Sequence, residues 1–288
     1  PAAPGGALDV IARQLMRKLG ESMGAQFIID NRAGAAGSIG AESVARAPAD
    51  GHTLMFSSSS VLSINPHLGA KTTYDILRDF SPLVLIGFAP NALAVHPSLP
   101  ATSAGELIAI AKARPGALAF ASNGAGTLSH LPGALFMQQA RIDMLHVPYK
   151  GAAPAVMATA AGEVPALFSA YPSVLGQVQA GKLRALAVTS AKRIAAAPAL
   201  PTVAEAALPG FESTQWWGFY GPAGLPAEIV ARLNREMNAI LVTADTRKRL
   251  AAEGAEPAGG TPADLAAHHN TDYVRWEKVI RSAGIKGE

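Results

Sequence analysis

Apolar positions along the chain recur first at helical spacing and then in short runs, and this alternation predicts an α/β fold. Near the start of the chain, four apolar residues recur every three or four positions and indicate an amphipathic helix: Leu8, Ile11, Leu15 and Leu19. Residues 26–30 then indicate a short buried strand. Helical and strand patterns keep alternating, which predicts mostly parallel sheets flanked by helices on both faces.

The remaining predicted elements are bounded by turn and capping signals. Strands are predicted where short β-rich runs occur, at 52–56, 83–88, 92–96, 118–121, 144–147, 164–168, 183–189 and 214–220. Residues 34–40 are predicted to lead into a helix that ends near residue 46, and further helices are predicted where helical spacing or start signals occur, at 103–113, 130–139, 153–161, 173–180, 228–241, 244–253 and 263–282. Two pairs have the spacing of capping boxes, Ser103 with Glu106 and Thr202 with Glu205.

The order of these elements predicts two domains. The first region has few helices of its own, whereas the chain after Pro226 is helical with few breaks, so the C-terminal segment is expected to return and cover the first sheet. Domain 1 is therefore predicted as the discontinuous ranges 1–96 plus 213–288, and domain 2 as 97–212. The two crossings define a hinge, and the ligand cleft is expected between the domains.

Composition narrows the functional classes. Hydrophobic residues make up 49% of the 288 positions and charged residues 16%, so the chain can fill a sizeable core, yet no apolar stretch of about 18 residues indicates a membrane span. The absence of cysteine excludes disulfides, thiolate catalysis and cysteine metal sites. The net charge is +3 with basic residues scattered singly or in pairs, so no nucleic-acid partner is expected.

Signatures of catalysis are absent from the sequence. It contains no G-x-S-x-G elbow, no Walker A loop and no H-E-x-x-H pair. His268 and His269 have no carboxylate or cysteine at ligand spacing, so surface packing is preferred over metal binding. Ser129 beside His130 leaves a hydrolase as a weak alternative, because adjacent residues on a helix point in different directions. No catalytic residue, metal or cofactor is assigned.

Three polar turns are the candidates for ligand binding. The first is residues 4–9, the second the serine run 57–60, and the third residues 122–130, in which glycines again open a helix. Backbone N–H groups at a helix N-terminus suit an anion, although a plain helix start or a solvated loop explains each turn taken alone. Loops at the carboxyl ends of parallel strands gather at one crevice, so the predicted ligand is a small anion.

Aromatic side chains are the candidate walls of the site. Four of them follow or lie near the predicted strands: Tyr149, Tyr171, Trp216 and Trp217. Buried aromatic residues are more often core than ligand contacts. If they do line the site, the ligand is expected to have a flat or aromatic body.

Seven motifs in a fixed order resemble the Bug family, the periplasmic substrate-binding receptors of tripartite tricarboxylate transporters. They are the residues 5–9 (GGALD), 30–37 (DNRAGAAG), 50–54 (DGHTL), 129–130 (SH), 146–151 (HVPYKG), 181–188 (GKLRALAV) and 201–205 (PTVAE). The resemblance runs to residues 283–286 and therefore covers essentially the whole chain.

This resemblance implies a two-domain Venus-flytrap α/β fold of the type II-like class and a periplasmic location. It also implies a small carboxylate ligand held by backbone amides and ordered water, membrane permease subunits as partners, and a monomer. A sensor that presents the ligand to a membrane kinase remains an alternative. The predicted ligand-binding residues are Gly6, Ala7, Asp9, Ser57, Ser58, Ser59, Asn123, Gly124, Ala125, Gly126, Thr127, Ser129, His130, Tyr149, Lys150, Ser169, Tyr171 and Trp217, of which Asp9 and His130 are expected mainly to brace their loops.

Two departures from the family pattern change what is expected of the start of the chain and of the ligand. Members commonly open with a β-strand before the first glycine turn, whereas this chain has only residues 1–4 there, which suggests processing or truncation. Many members carry Phe-Asp-Asn where this sequence has Phe168-Ser169-Ala170. That aspartate is the evident partner for a ligand ammonium, and burying an ammonium without a countercharge is costly. A mono- or dicarboxylate without an α-amino group is therefore predicted.

Overall fold

The computed structural model describes residue 1 and residues 7–69, 72–252 and 254–285. Its α-helices are α1 Ala7–Met23, α2 Ser38–Ala45, α3 Ala104–Ala113, α4 His130–Ala140, α5 Ala152–Ala160, α6 Tyr171–Gln179, α7 Val203–Ala206, α8 Ala227–Leu241, α9 Ala244–Ala252 and α10 Pro262–Ala283. Its strands are β1 Met55–Ser58, β2 Phe80–Val95, β3 Ala119–Ser122, β4 Leu145–Pro148, β5 Ala166–Ala170, β6 Arg184–Val188, β7 Thr214–Pro222 and β8 Glu256–Pro257. None of the helices in these ranges is both long and apolar enough to cross a membrane.

The helices begin and end close to where the sequence predicts them. In α1 the predicted stripe is buried, with Ile11, Leu15 and Leu19 at most 2% exposed, because their spacing places them on one face. The start of α7 is a complete capping box, in which Thr202 Oγ1 accepts from the Glu205 N–H and the Glu205 carboxylate accepts from the Thr202 N–H.

The predicted strand at residues 26–30 is wrong. These residues have no regular secondary structure, and the Ile28 side chain is 82% exposed. A strand exists only where a neighbouring strand satisfies its backbone groups, and no strand of the described ranges pairs with this segment.

Other strand predictions need smaller corrections. The two runs predicted at 83–88 and 92–96 form one continuous strand, β2, and β1 begins three residues later than predicted. The structure also contains a π-helical turn at Ser60–Ile64 and a 3₁₀ turn at Asn65–His67, neither of which the sequence pattern predicts.

The described chain divides into two compact units, the first comprising Pro1–Phe88 with Trp216–Lys278 and the second Ala89–Gln215 with Val279–Glu288. The domain boundaries at 96/97 and 212/213 stay a prediction. In the first unit, β7 pairs antiparallel with β1 and lies next to β2, and β8 pairs antiparallel with β2. A core cluster between this sheet and the helices includes Trp216, Tyr220, Leu62 and Leu265.

The second unit contains the parallel part of the sheet. Crossover helices α4 and α5 connect β3, β4 and β5, and β3 pairs parallel with both β4 and β5. The last residues of β2 pair antiparallel with β5 and β6. The expectation of mostly parallel sheets is therefore corrected to a mixed sheet, since helical crossovers enforce parallel pairing only among β3, β4 and β5.

Candidate functional site

The loop between β3 and α4, residues 123–129, is held in shape by its own hydrogen bonds. The Asn123 N–H donates to Ser129 Oγ (2.7 Å), and Thr127 Oγ1 donates to the Gly124 carbonyl (2.7 Å). The Gly126 N–H donates to His130 Nδ1 (3.0 Å). Gly126 has a φ of 69°, in the left-handed region that favours glycine. The polar side chains of this loop are thus used mainly to fix its backbone.

Three backbone N–H groups of this loop have no acceptor within the described ranges, those of Ala125, Leu128 and Ser129. They lie in the turn that opens α4, where the helix dipole adds positive potential. Amides in this position bind carboxylate or phosphate oxygens without a full countercharge. The sequence predicts the whole loop as ligand contacts, whereas the structure leaves these three amides as the backbone donors without an acceptor in the described ranges.

His130 is stacked on His146, the second residue of β4. The ring centroids are 3.7 Å apart and the planes differ by 3°, while His146 Nε2 lies 2.6 Å from Ser122 Oγ. Burial lowers the pKa of His130, and burial together with the His130 ring lowers the pKa of His146 to about 4. Both imidazoles are therefore neutral at pH 7, and His130 braces the loop as the sequence predicts.

Neighbouring elements anchor the same loop. The Asn91 side-chain amide donates to the Leu128 carbonyl (2.8 Å), and the Gly151 N–H donates to the Asn123 carbonyl (3.1 Å). Ser169 Oγ, fully buried on β5, donates to Asn123 Oδ1 (3.4 Å). The structure thus brings Ser169 together with the predicted loop residues of the second unit.

The tyrosines and the lysine predicted beside this loop differ in exposure. The Tyr149 N–H donates to the Ser122 carbonyl (3.0 Å), and its side chain is half-buried. Lys150 is exposed. Tyr171 is only 8% exposed and belongs to a hydrophobic cluster with Val174 and Leu167, so most of its ring is used for packing.

The serine run of the first unit is buried. Ser59 Oγ accepts from the Trp216 N–H (3.3 Å), and Ser58 pairs with Trp217 across β1 and β7. Ser57 Oγ and Trp217 Nε1 are buried polar atoms without a hydrogen-bond partner within the described ranges. Such atoms are rare in folded proteins because each costs free energy, so they mark positions where a ligand or water is expected. The predicted alternative of a solvated loop is therefore wrong for this run.

The first predicted turn is described only in part. Gly6 lies outside the described residues, and Ala7 is the first residue of α1. The Asp9 side chain is buried: Oδ1 accepts from Asn31 Nδ2 (2.9 Å) and Oδ2 from Arg13 Nε (3.0 Å). The Arg13 guanidinium also donates to Asn31 Oδ1 (2.9 Å), which closes a three-residue network. Asp9 therefore braces α1 against the segment that follows it.

The histidine pair on α10 is not packed at the surface as predicted. His269 is 3% exposed, with Nε2 3.1 Å from the Leu62 carbonyl and Nδ1 3.2 Å from the Tyr220 hydroxyl. His268 is half-buried and its ring packs edge-on against Phe88 and Trp216. Burial lowers the pKa of both histidines to about 4. No cluster of potential metal ligands occurs in the part of the chain that is described.

Sequence reasoning missed two residues that position the loop, His146 and Asn91. His146 lies within one of the recognised motifs, but its link to His130 depends on the parallel register that places His146 beside Phe120. Asn91 lies in the middle of an apolar run, and a buried asparagine in such a run is itself a signal of a specific hydrogen bond.

The α/β fold is shared with solved periplasmic binding proteins of two domains, and this defines the chain as a solute-binding protein. A solved R. palustris protein with adipate is 39% identical with a TM-score of 0.77, covering 99% of this chain and 96% of that one. MatC from Rhodopseudomonas palustris with bound malate is 30% identical with a TM-score of 0.72, covering 97% and 96%.

Sequence comparison identifies the family. The model of the tripartite tricarboxylate transporter family receptor, TctC, matches residues 11–285. BugT from Bordetella pertussis is 39% identical over 287 residues, which is 99% of this chain and 88% of BugT. The chain belongs to the tripartite tricarboxylate transporter receptor family.

Proposed function

We propose that this receptor captures a small dicarboxylate without an α-amino group in the periplasm and delivers it to the permease subunits of a tripartite tricarboxylate transporter. The observation that carries the proposal is the set of three unpaired amides, Ala125, Leu128 and Ser129, at the start of α4. They form a preorganised site for one carboxylate group, since the loop that presents them is already braced by internal bonds.

The family relatives support a carboxylate as the ligand. Solved relatives of comparable length contain adipate in one case and malate in the other. Neither ligand carries an ammonium group, and both have two carboxyl groups. Beside the ligand loop, Ser122 contacts His146 but is fully buried, so this serine has no access to a substrate, which supports binding over catalysis at the loop.

The residues around Ser169 support exclusion of amino acids. Ser169 is fully buried, and its hydroxyl contacts the Asn123 side chain rather than a carboxylate. An ammonium at this place would lose its hydration without gaining a countercharge, which costs several kcal/mol or more. The ligand class expected here is therefore acidic and not zwitterionic.

The test is calorimetric titration of protein freed of bound ligand, with adipate, malate, aspartate and glutamate. We expect binding of at least one dicarboxylate and at least tenfold weaker binding of both amino acids. Ser169→Asp places a negative charge beside the loop, so we expect it to weaken dicarboxylate binding by at least tenfold. Ser173→Asp adds the same charge at an exposed position of α6 and should leave the affinity unchanged.

Two results would contradict the proposal. If protein shown by mass spectrometry to be ligand-free binds no dicarboxylate of four to six carbons, the assigned ligand class is wrong. If aspartate or glutamate binds as tightly as the best dicarboxylate, the exclusion of the α-amino group is wrong. Recovery of the receptor with membrane permease subunits after cross-linking in cells tests the transport partnership.

A further inference from the structure

The His130–His146 stack joins a buried imidazole to a half-buried one beside the ligand loop. His130 Nδ1 accepts the Gly126 N–H, so the remaining proton of the neutral ring is on Nε2. Ser122 Oγ donates to the Gly124 carbonyl (3.0 Å), which leaves the His146 Nε2–H as the donor to that hydroxyl. His130 thus contacts the loop, and His146 contacts the last residue of β3, each through one specific nitrogen in one specific tautomer.

The stack fixes the plane of His130. The centroid of its ring lies 3.7 Å from that of the His146 ring and 6.3 Å from that of the Phe120 ring. The centroids of the Phe120 and His146 rings are 5.0 Å apart. A ring held in this way keeps Nδ1 directed at the Gly126 amide. Gly126 follows Ala125 and precedes Leu128 by two residues, so its position controls the direction of the unpaired amides on both sides.

We propose that the stacked His130–His146 pair is the positioning device of the ligand loop, and that it holds the unpaired amides in binding geometry only while both imidazoles are neutral. The proposal rests on the proposed function and adds regulation to the same site. A proton on His130 Nδ1 would face the Gly126 N–H, donor against donor, and the hydrogen bond would be lost.

The groups that surround the pair determine how ligand affinity changes with pH. Phe120 and the Ser122 hydroxyl face the rings from β3, and the Gly126 amide faces His130 from the loop. Within the described ranges no carboxylate, lysine or arginine shifts the pKa of either ring; burial lowers both values, and His130 lowers that of His146 further. Ligand affinity is therefore complete above about pH 6.5 and falls as acid protonates the pair.

The first experiment observes the ligand-free protein by nitrogen NMR. We expect His130 in the Nε2–H tautomer at pH 7, and a Gly126 amide resonance that shifts with the same midpoint as the His130 ring. An Nδ1–H tautomer, or a Gly126 amide that is insensitive to the titration of His130, would overturn the proposal. This readout needs no ligand, so its failure is distinct from failure of the proposed ligand class.

The second experiment measures adipate affinity by calorimetry between pH 7 and pH 5. The carboxyl groups of adipate also titrate toward this range, so the comparison is with His130→Gln, whose amide can accept the Gly126 N–H but does not titrate. We expect wild type to lose roughly threefold more affinity over this range than H130Q. His96→Gln removes a histidine of the second unit outside the loop and should follow wild type.

Variants of His146 separate positioning from general stability. We expect His146→Ala to weaken adipate binding about tenfold at pH 7 by releasing the His130 ring, and His146→Phe to restore most of it by replacing the stacked ring. Equal affinity of H146A and wild type, or parallel pH profiles of wild type and H130Q, would contradict the proposal. Thermal unfolding of each variant identifies any that fail to fold, in which case the NMR experiment on wild type decides.

Discussion

At the scale of single residues, polar side chains in this chain are used mainly to hold backbone in place. Asp9 holds α1 to the segment after it, and Ser129 and His130 hold the loop before α4. Their chemistry resembles that of ligand contacts, and the sequence cannot separate the two uses, because a carboxylate or imidazole accepts hydrogen bonds equally well from a backbone, a side chain or a ligand.

Asp9 and Glu21 provide a matched test of this bracing. Each is the carboxylate partner of an arginine four residues away on α1, but the Asp9 side chain is 4% exposed and the Glu21 side chain 62%. We expect Asp9→Ala to lower the free energy of unfolding by about 1–2 kcal/mol, since it removes buried hydrogen bonds to a charged group. Glu21→Ala should change it by less than about 0.5 kcal/mol. Urea denaturation measures both, and equal effects would contradict the bracing role.

At the scale of elements, close packing of α4 on β3 positions the loop between them. A Cβ on Gly133 of α4 would lie 2.3 Å from the Phe120 ring, which is fully buried and stacks on His146. The absent side chain therefore allows the helix to approach the strand closely enough for the histidine pair to form. Helix propensity alone disfavours glycine here, and the packing requirement prevails.

Replacing glycine by alanine in two helices separates packing from propensity. We expect Gly133→Ala to lower the free energy of unfolding by roughly 1–3 kcal/mol, because the new methyl group overfills the contact with Phe120. Gly176 of α6 has no atom within 4 Å of its would-be Cβ, so Gly176→Ala should raise stability by up to about 1 kcal/mol. Denaturant titrations of the two variants test this, and a stabilising G133A would show that the contact is not tight.

At the scale of the whole molecule, buried neutral histidines make stability dependent on pH. Burial lowers the pKa of His146, His268 and His269 to about 4 in the folded protein, against about 6.5 in the unfolded chain. Below pH 6.5 the unfolded state binds protons that the folded state does not bind, so stability falls as the pH falls toward 4. Asp272 acts in the opposite direction, since burial raises its pKa.

We expect the free energy of unfolding to decrease between pH 7 and pH 4, with a contribution on the order of 3 kcal/mol from the fully buried His269. The half-buried His146 and His268 should contribute less because solvent screens their charge. Urea denaturation across this range measures the loss, with the exposed His52→Gln variant expected to follow wild type. A constant free energy of unfolding from pH 7 to pH 4 would contradict the assignment of neutral buried rings.

The sequence by itself determined the α/β class, nearly all helices and most strands, the family, and the loop at 122–130, because periodicity, capping and glycine turns are local properties of the chain. Only the tertiary structure decided which groups of that loop remain unpaired, that His146 stacks on His130, and that residues 26–30 form no strand. These features depend on contacts between residues distant in sequence: the parallel register of β3 and β4, the close approach of Phe120 to Gly133, and the need of any strand for a neighbour.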